Sequence, residues 1–392
     1  MHALRQNPEL IDLMEVSNPL DPHVIVDPEE LDALSRDIEE AHAAFSHALN
    51  TQDKDYIRAI HLQAKKTSSG LDAELIRKKF NRYKDYFRSG KDIDLKRIKP
   101  RLVACDSTLW KDLFAITRAC WSMPYNKGYG RRLRFVVFDE AHEAVMGIIG
   151  LQSPPADLQS RDGLFKFPAK RKLELVNNTL DAYTVGAIPP YSFLLGGKLC
   201  AGLISTDTIR RSYWRKYASQ KSLMLEASIQ QPLVAVTTTS AFGRSSIYNR
   251  LRYKDRLLAE PIGYTKGFGT IHLEHLYERI SEVLKANESF TPAGFGNGPK
   301  VRWQNITKGL MKLGVSPSLL KHGLKREVFL FRFVEGLEDG MSGGSFGATQ
   351  NLPEEEFSEY WLDRWAVPRA NRFPEWSQID ARQLITNTLN SF

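Results

Sequence analysis

The stretch AIPPYSFLLGGKLCAGLIS, residues 187–205, decides how the middle of the chain folds. Upstream of it LELVNNTLDAYTVGAI is rich in apolar and β-branched residues, as a buried strand requires, and the pair Pro189 and Pro190 ends that strand. Gly196 and Gly197 then open a new apolar run, so the chain passes from strand to helix through a glycine turn. PLVAVTTTSAF, residues 232–242, supplies another β-branched strand. This reading predicts that the strand ending near Ile188 lies beside the strand at 233–239. One long helix over KLCAGLISTDTIRRSYWRKYASQ, residues 198–220, connects them on one face.

Working outward, STLWKDLFAITRACW (107–121) has apolar residues at helical spacing, and LRFVVFDEAHEAVMGIIGLQS (133–153) gives two β-rich runs separated by the polar DEAHEA, a hairpin pattern. RSSIYNRLRYKDRLL (244–258) reads as a short helix leading to the next strand. WQNITKGLMKLG (303–314) is a helix, EVFLFRFV (327–334) a strand, and EFSEYWLDRW (356–365) a final helical piece. The order predicts a mixed α/β sheet flanked by helices. The expected division is a helical N-terminal region over 1–96, an α/β core over 97–290, and a C-terminal extension over 291–392 that packs on the core.

Composition sets the class. A chain of 392 residues that is 42% hydrophobic can bury a large core. A net charge of +8 favours acidic partners such as nucleic acid or phosphorylated ligands. The three cysteines, Cys105, Cys120 and Cys200, stand far apart, which suggests neither a disulfide framework nor a structural zinc site. No apolar run approaches the roughly 18 residues of a membrane span. The expectation is a soluble, cytoplasmic protein without membrane contact.

Several constellations could carry chemistry. Gly196, Gly197 and Lys198 sit where a strand-to-helix turn can present backbone N–H groups to an anion, although glycine at a tight corner explains the same residues sterically. In IRRSYWRKY the cations Arg210, Arg211, Arg215 and Lys216 alternate with Tyr213, Trp214 and Tyr217. That mixture can hold a phosphate backbone while rings stack on bases, or it can be an amphipathic helix with its aromatics in the core. Arg244, Arg250, Arg252, Lys254 and Arg256 form a second basic cluster, expected at the same sheet edge. His272 and His275 share a helical face but have no evident third ligand, so no metal site is assigned.

The element order resembles the GNAT acyltransferase fold, whose loop after the fourth strand binds the pyrophosphate of acyl-coenzyme A. SSIYNRLRYK (245–254) is similar to that family's helix after the fifth strand. The resemblance implies a GNAT-like sheet, an acyl-coenzyme A cofactor held by Gly196, Gly197 and Lys198, Tyr248 as general acid, and Asp181 or Glu174 as base. Phe193, Lys198 and Arg252 depart from the family pattern. A broader resemblance runs from about residue 97 to 335: VACDSTLWKDLF, LRFVVFDEAHEAVMGIIGLQSP, VNNTLDAYTVGAIPP, IYNRLRYKDRLLAEPIGYTKGFG and LLKHGLKREVFLFRF look like successive blocks of the Druantia antiphage DruA family. It implies a component of a multi-protein bacterial defence system, with other defence proteins, including a helicase-like subunit, and nucleic acid as partners. Active acyl-coenzyme A-dependent N-acyl transfer and a metal-dependent nuclease stay open as other readings.

Overall fold

The computed structural model describes residues 27–51, 53–67, 72–123, 128–218, 220–221, 232–241, 243, 245–266, 271–292, 301–321 and 323–390. Helices α1 (Pro28–Asn50), α2 (Lys54–Thr67) and α3 (Ala73–Tyr83) come first. Strand β1 (Pro100–Ala104) leads through α4 (Thr108–Ala119) to the hairpin of β2 (Leu133–Asp139) and β3 (Ala144–Gln152). Then follow β4 (Thr179–Ala187), α5 (Gly196–Leu203), α6 (Asp207–Tyr217) and β5 (Ala235–Thr239). A small hairpin, β6 (Arg252–Tyr253) and β7 (Arg256–Leu257), precedes β8 (Glu260–Tyr264) and helices α7 (Tyr277–Ala286) and α8 (Val301–Lys312). Strand β9 (Glu327–Arg332) and helices α9 (Glu354–Trp361) and α10 (Ala381–Asn390) follow, and shorter helical segments lie between the elements named.

The described residues fall into two compact units, one from Met1–Ile60 and Phe268–Gly323, the other from His61–Gly267 and Leu324–Phe392. The first is helical. Arg279 of α7 ties to α1 through Glu30 and Asp37, and the buried Asn305 side chain of α8 bonds both backbone groups of Thr291. Among the described residues no helix is long and apolar enough to cross a membrane.

The second unit is a mixed α/β structure, as the sequence predicts. Its seven-stranded sheet has the order β1-β2-β3-β4-β5-β9-β8. Described neighbours run antiparallel except β4 and β5, which are parallel from Thr179 opposite Ala235 to Ala182 opposite Thr238. Every residue of β3 is buried, which is why AVMGIIGL, residues 144–151, reads as one unbroken apolar run: helices cover both faces of this strand. Leu180, Ala182, Leu199, Cys200, Tyr213, Phe357 and Trp361 share one core; Leu113, Phe114, Val136 and Ile148 belong to another. Tyr183 bulges out of the β3–β4 ladder, because Gly150 pairs with Thr184 while Leu151 pairs with Ala182.

Two expectations are corrected. The long helix over 198–220 is two helices, since Thr206 adopts extended angles (φ −83°, ψ 158°) and restarts the helix as the N-cap of α6. In place of the short helix expected over 244–258, residues 245–258 form a run of turns and the β6–β7 hairpin. Arg250 and Lys254 sit at φ 53° and 52°, which a right-handed helix does not allow. C-terminal residues also enter the sheet directly, with β9 between β5 and β8.

At the β1 end of the sheet order, the edge is closed by a side chain. The Leu102 N–H donates to Glu354 Oε1 at 2.6 Å, and Thr208 Oγ1 donates to Glu354 Oε2 at 2.6 Å. Burial pushes the Glu354 carboxyl up while these hydrogen bonds pull it down. Nearby, α9 packs on α5 at Gly202, where a Cβ would overlap the Phe357 ring.

Gly202→Ala should therefore cost about 1–3 kcal/mol by overpacking, read as a lower urea midpoint, and Phe357→Leu should recover part of it. An unchanged midpoint for Gly202→Ala would mean that the contact is not close. A second expectation concerns Lys65, which donates to the Ala119 carbonyl and, at 2.7 Å, to that of Trp121. Burial, with repulsion from Arg118, lowers its pKa from 10.5 to about 8. The unfolded chain then binds the extra proton between about pH 8 and pH 10.5, so this group makes stability rise with pH across that window. Below it, both states are charged and the penalty is constant. Urea midpoints should show that rise relative to Lys65→Met, and identical pH profiles for the two proteins would remove the claim.

Candidate nucleic-acid interface

The glycine turn between β4 and α5 is crowded by its own chain. A Cβ on Gly196 would sit 2.7 Å from the Tyr191 carbonyl oxygen and 2.9 Å from Ala187 Cβ, and one on Gly197 would approach Ile247 to 3.2 Å. Leu195 takes the left-handed conformation at φ 58° that lets the chain enter the helix. The N–H groups of Ser192, Phe193, Leu195 and Lys198 donate to carbonyls within the turn. Lys198 Nζ bonds the Asn249 carbonyl at 2.9 Å and lies over the Trp365 ring. Two residues from the C-terminal segment close over the turn, Trp361 Nε1 donating to the Leu195 carbonyl and Arg369 Nε to that of Phe193. Phe193 itself stacks on Phe373. Steric need thus accounts for Gly196, while at Gly197 a Cβ would meet only the side chain of Ile247.

Tyr248 lies in the core, with Phe329 and Phe331 around its ring and its hydroxyl 3.4 Å from Thr238 Oγ1. Burial pushes its phenol up to about 12. Asp181 projects from β4 and accepts from Gln152 Nε2 at 3.0 Å and Thr237 Oγ1 at 3.1 Å, joining three adjacent strands. Burial raises its carboxyl above the usual range against the pull of those hydrogen bonds, with Arg161 and Arg326 drawing it down further. Glu174, the other carboxylate considered, is exposed and paired with Arg171.

Helix α6 sorts its mixed side chains by its 3.6-residue period. Tyr213 and Tyr217 turn into the core, whereas Arg211, Trp214, Arg215 and Lys216 are exposed. The two tyrosines hold the helix down: the Tyr217 hydroxyl accepts from the Arg132 N–H at 2.6 Å, and Tyr213 bonds Arg131. Not every cation is equally available. Arg210 is tied to Asp207 and Asn351, and Lys216 donates to the Arg132 carbonyl. Arg211, 74% exposed, keeps a single long contact of 3.7 Å to Asp207. Arg211 and Arg215 line a cleft of about 410 Å³ between α6 and β1, together with Arg101, which pairs loosely with Glu140 at 3.5 Å.

The second basic cluster is arranged differently. Arg250, Arg252 and Lys254 are exposed on the turns around β6 and β7, with Arg252 Nη1 bonded to the Asp255 carbonyl and Lys254 over the Tyr253 ring. Arg256 bonds Gln350, next to the Asn351 that holds Arg210, so the clusters approach each other there. Arg244 lies outside the described residues. His272 and His275 fall in and beside a short 3-10 turn, and among the described residues no group of three or more His, Cys, Asp or Glu could hold a metal ion.

Some organised groups escape sequence reading. Arg101 belongs to neither of the basic clusters that the sequence singles out. The polar DEAHEA, read as a hairpin turn, also supplies a buried relay: Tyr191 donates to Asp139 Oδ2 at 2.8 Å, and His142 Nδ1 lies 2.7 Å from the same oxygen. His142 Nε2 accepts the Asp94 N–H. With both ring nitrogens engaged, this histidine fastens the hairpin.

No solved structure matches the chain. The family model described as Druantia protein DruA matches residues 51–343. A curated Druantia protein DruA from Escherichia coli (strain UMEA 4076-1) is 34% identical over 337 residues, covering 84% of this chain and 83% of that protein. Matches of that extent, in a chain whose sheet elements lie within or beside them, mean that this chain belongs to the Druantia DruA family.

Proposed function

We infer that this chain is a component of a Druantia-type antiphage defence system and that it acts there by binding nucleic acid along the flank of α6 and β1. The carrying observation is that Arg211 and Arg215, one helical turn apart on an exposed face, share a cleft with Arg101 and have the exposed Trp214 beside them. Guanidinium groups that are weakly paired can neutralise phosphates and release counterions, and an exposed indole offers a stacking surface. Family membership supports the defence role. Other proteins of the system, a helicase-like subunit among them, are the expected partners, in the cytoplasm. The core that presents this flank is GNAT-like in its element order, supported by the β4–β5 parallel pair and the helix that opens at the glycine turn after β4.

Acyl transfer is a second reading, favoured by one observation. Pairing between β4 and β5 stops at Ala182 and Thr238 while β4 runs on to Ala187, and Tyr248 bonds Thr238 at that divergence. Tyr248 would then be the general acid, Asp181 the base, and Gly196, Gly197 and Lys198 the acyl-coenzyme A contacts. Against it, a phenol held at about 12 gives up its proton less readily at neutral pH than an ordinary tyrosine.

Replacing Arg211 or Arg215 by alanine should weaken nucleic-acid binding and reduce its salt slope by about one unit per lost contact. Arg210→Ala should do less, because its guanidinium is already engaged. Tyr248→Phe should leave binding intact; acyl transfer that collapses in this variant, with salt-independent or absent nucleic-acid binding, would replace the first reading by the second. In a host carrying the complete system, deletion of the protein should increase plaque formation, and unchanged plaque counts across a broad phage panel would remove the defence assignment.

A further inference from the structure

The cleft has a floor that a phosphate-binding rim does not need. Between Arg101, Arg211 and Arg215 the lining includes Leu102 and Ala104 of β1 with Phe135 of β2, which pack on the α6 face of the sheet; Val103 packs on the other face, and Glu140 adds a carboxylate beside Arg101. A rim of arginines alone would suit any phosphate backbone, duplex included. The whole cleft, about 410 Å³, falls in the range of small-ligand sites, roughly 300–1,000 Å³, and its apolar part offers a flat, weakly hydrated surface a place to rest. Duplex bases cannot enter, because they are paired and stacked inside the helix, and releasing one costs a few kcal/mol. A single strand turns its bases out freely. The neighbouring solvent face of α6 adds a second platform, since Trp214 is 44% exposed between the two arginines in sequence.

From this combination we propose that the α6–β1 cleft is a single-strand site, which seats one base against Ala104 beside Leu102 and Phe135, stacks a neighbouring base on Trp214, and holds the intervening phosphates with Arg101, Arg211 and Arg215. The proposal rests on the nucleic-acid reading and narrows it from any polyanion to an unpaired strand. Ser212, on the helix side of the recess, is the position from which to close it, because leucine there keeps every arginine and suits a helix.

The test is fluorescence anisotropy with the full chain, using labelled 12-nucleotide single strands of DNA and RNA, a hairpin duplex of equal charge, and unlabelled adenosine monophosphate as competitor. The wild-type protein should prefer single strands by tenfold or more. Ser212→Leu and Trp214→Ala should each remove most of that preference while duplex binding stays within twofold, and circular dichroism melts should match the wild type. Trp214→Ala removes an exposed side chain, so it keeps the test decisive if Ser212→Leu disturbs folding. Equal binding of duplex and single strand, unchanged in both variants, overturns the proposal and leaves the nucleic-acid reading standing. Single strands that bind no more tightly than adenosine monophosphate overturn it in favour of a free-nucleotide site. Binding of neither strand nor duplex removes both.

Discussion

The parallel pairing of β4 with β5 governs the second unit. Parallel neighbours cannot be joined by a tight turn, so the chain must leave β4, cross a face of the sheet and return at the far end. The glycine turn, α5 and α6 are that crossover, and their positions follow from it. Gly196 is small because the exit from β4 passes against the Tyr191 carbonyl and Ala187. Helix α6 reaches the β1 side of the sheet, where its outer face meets the edge instead of being covered. The cationic cleft is a by-product of how the crossover is closed.

The charge balance of the chain says little about which cations can reach a ligand, because several are already engaged within the fold. Lys198, Arg210 and Lys216 fasten carbonyls or carboxylates within the fold. What remains is local and directional: a few guanidinium groups on one exposed helical turn and a strand opposite. That is enough to orient a phosphate backbone, because short-range contacts and counterion release depend on placement more than on total charge.

Much of the sheet was legible from residue type. The unbroken apolar run of β3 and the β-branched Val236 to Thr239 announce strands, and their adjacency to β4 follows from the crossover pattern. The break at Thr206 was less visible, since the flanking residues all suit a helix and only the cap geometry interrupts it. The failure at RSSIYNRLRYK has a similar cause: apolar spacing there fits a helix, but the backbone at Arg250 and Lys254 is left-handed, a choice set by packing around Tyr248 and Leu251 rather than by local propensity. Within the candidate interface, the amphipathic sorting of Tyr213 and Tyr217 from the arginines was legible, whereas Arg101 was not. Its partnership with α6 is a contact between segments a hundred residues apart, which spacing along a chain does not encode.

Glu354 gives the C-terminal segment a guarding role. An outermost strand carries amide groups that any passing extended chain can match, which is how sheets of separate molecules fuse. Here a carboxylate from a distant helix already occupies one of those amides, and its charge would face the backbone oxygens of an incoming strand. A protein that must stand beside others in an assembly while keeping its sheet to itself is served by such a lock. A partner wishing to extend the sheet through β1 would have to evict a buried acid before forming its first hydrogen bond at Leu102.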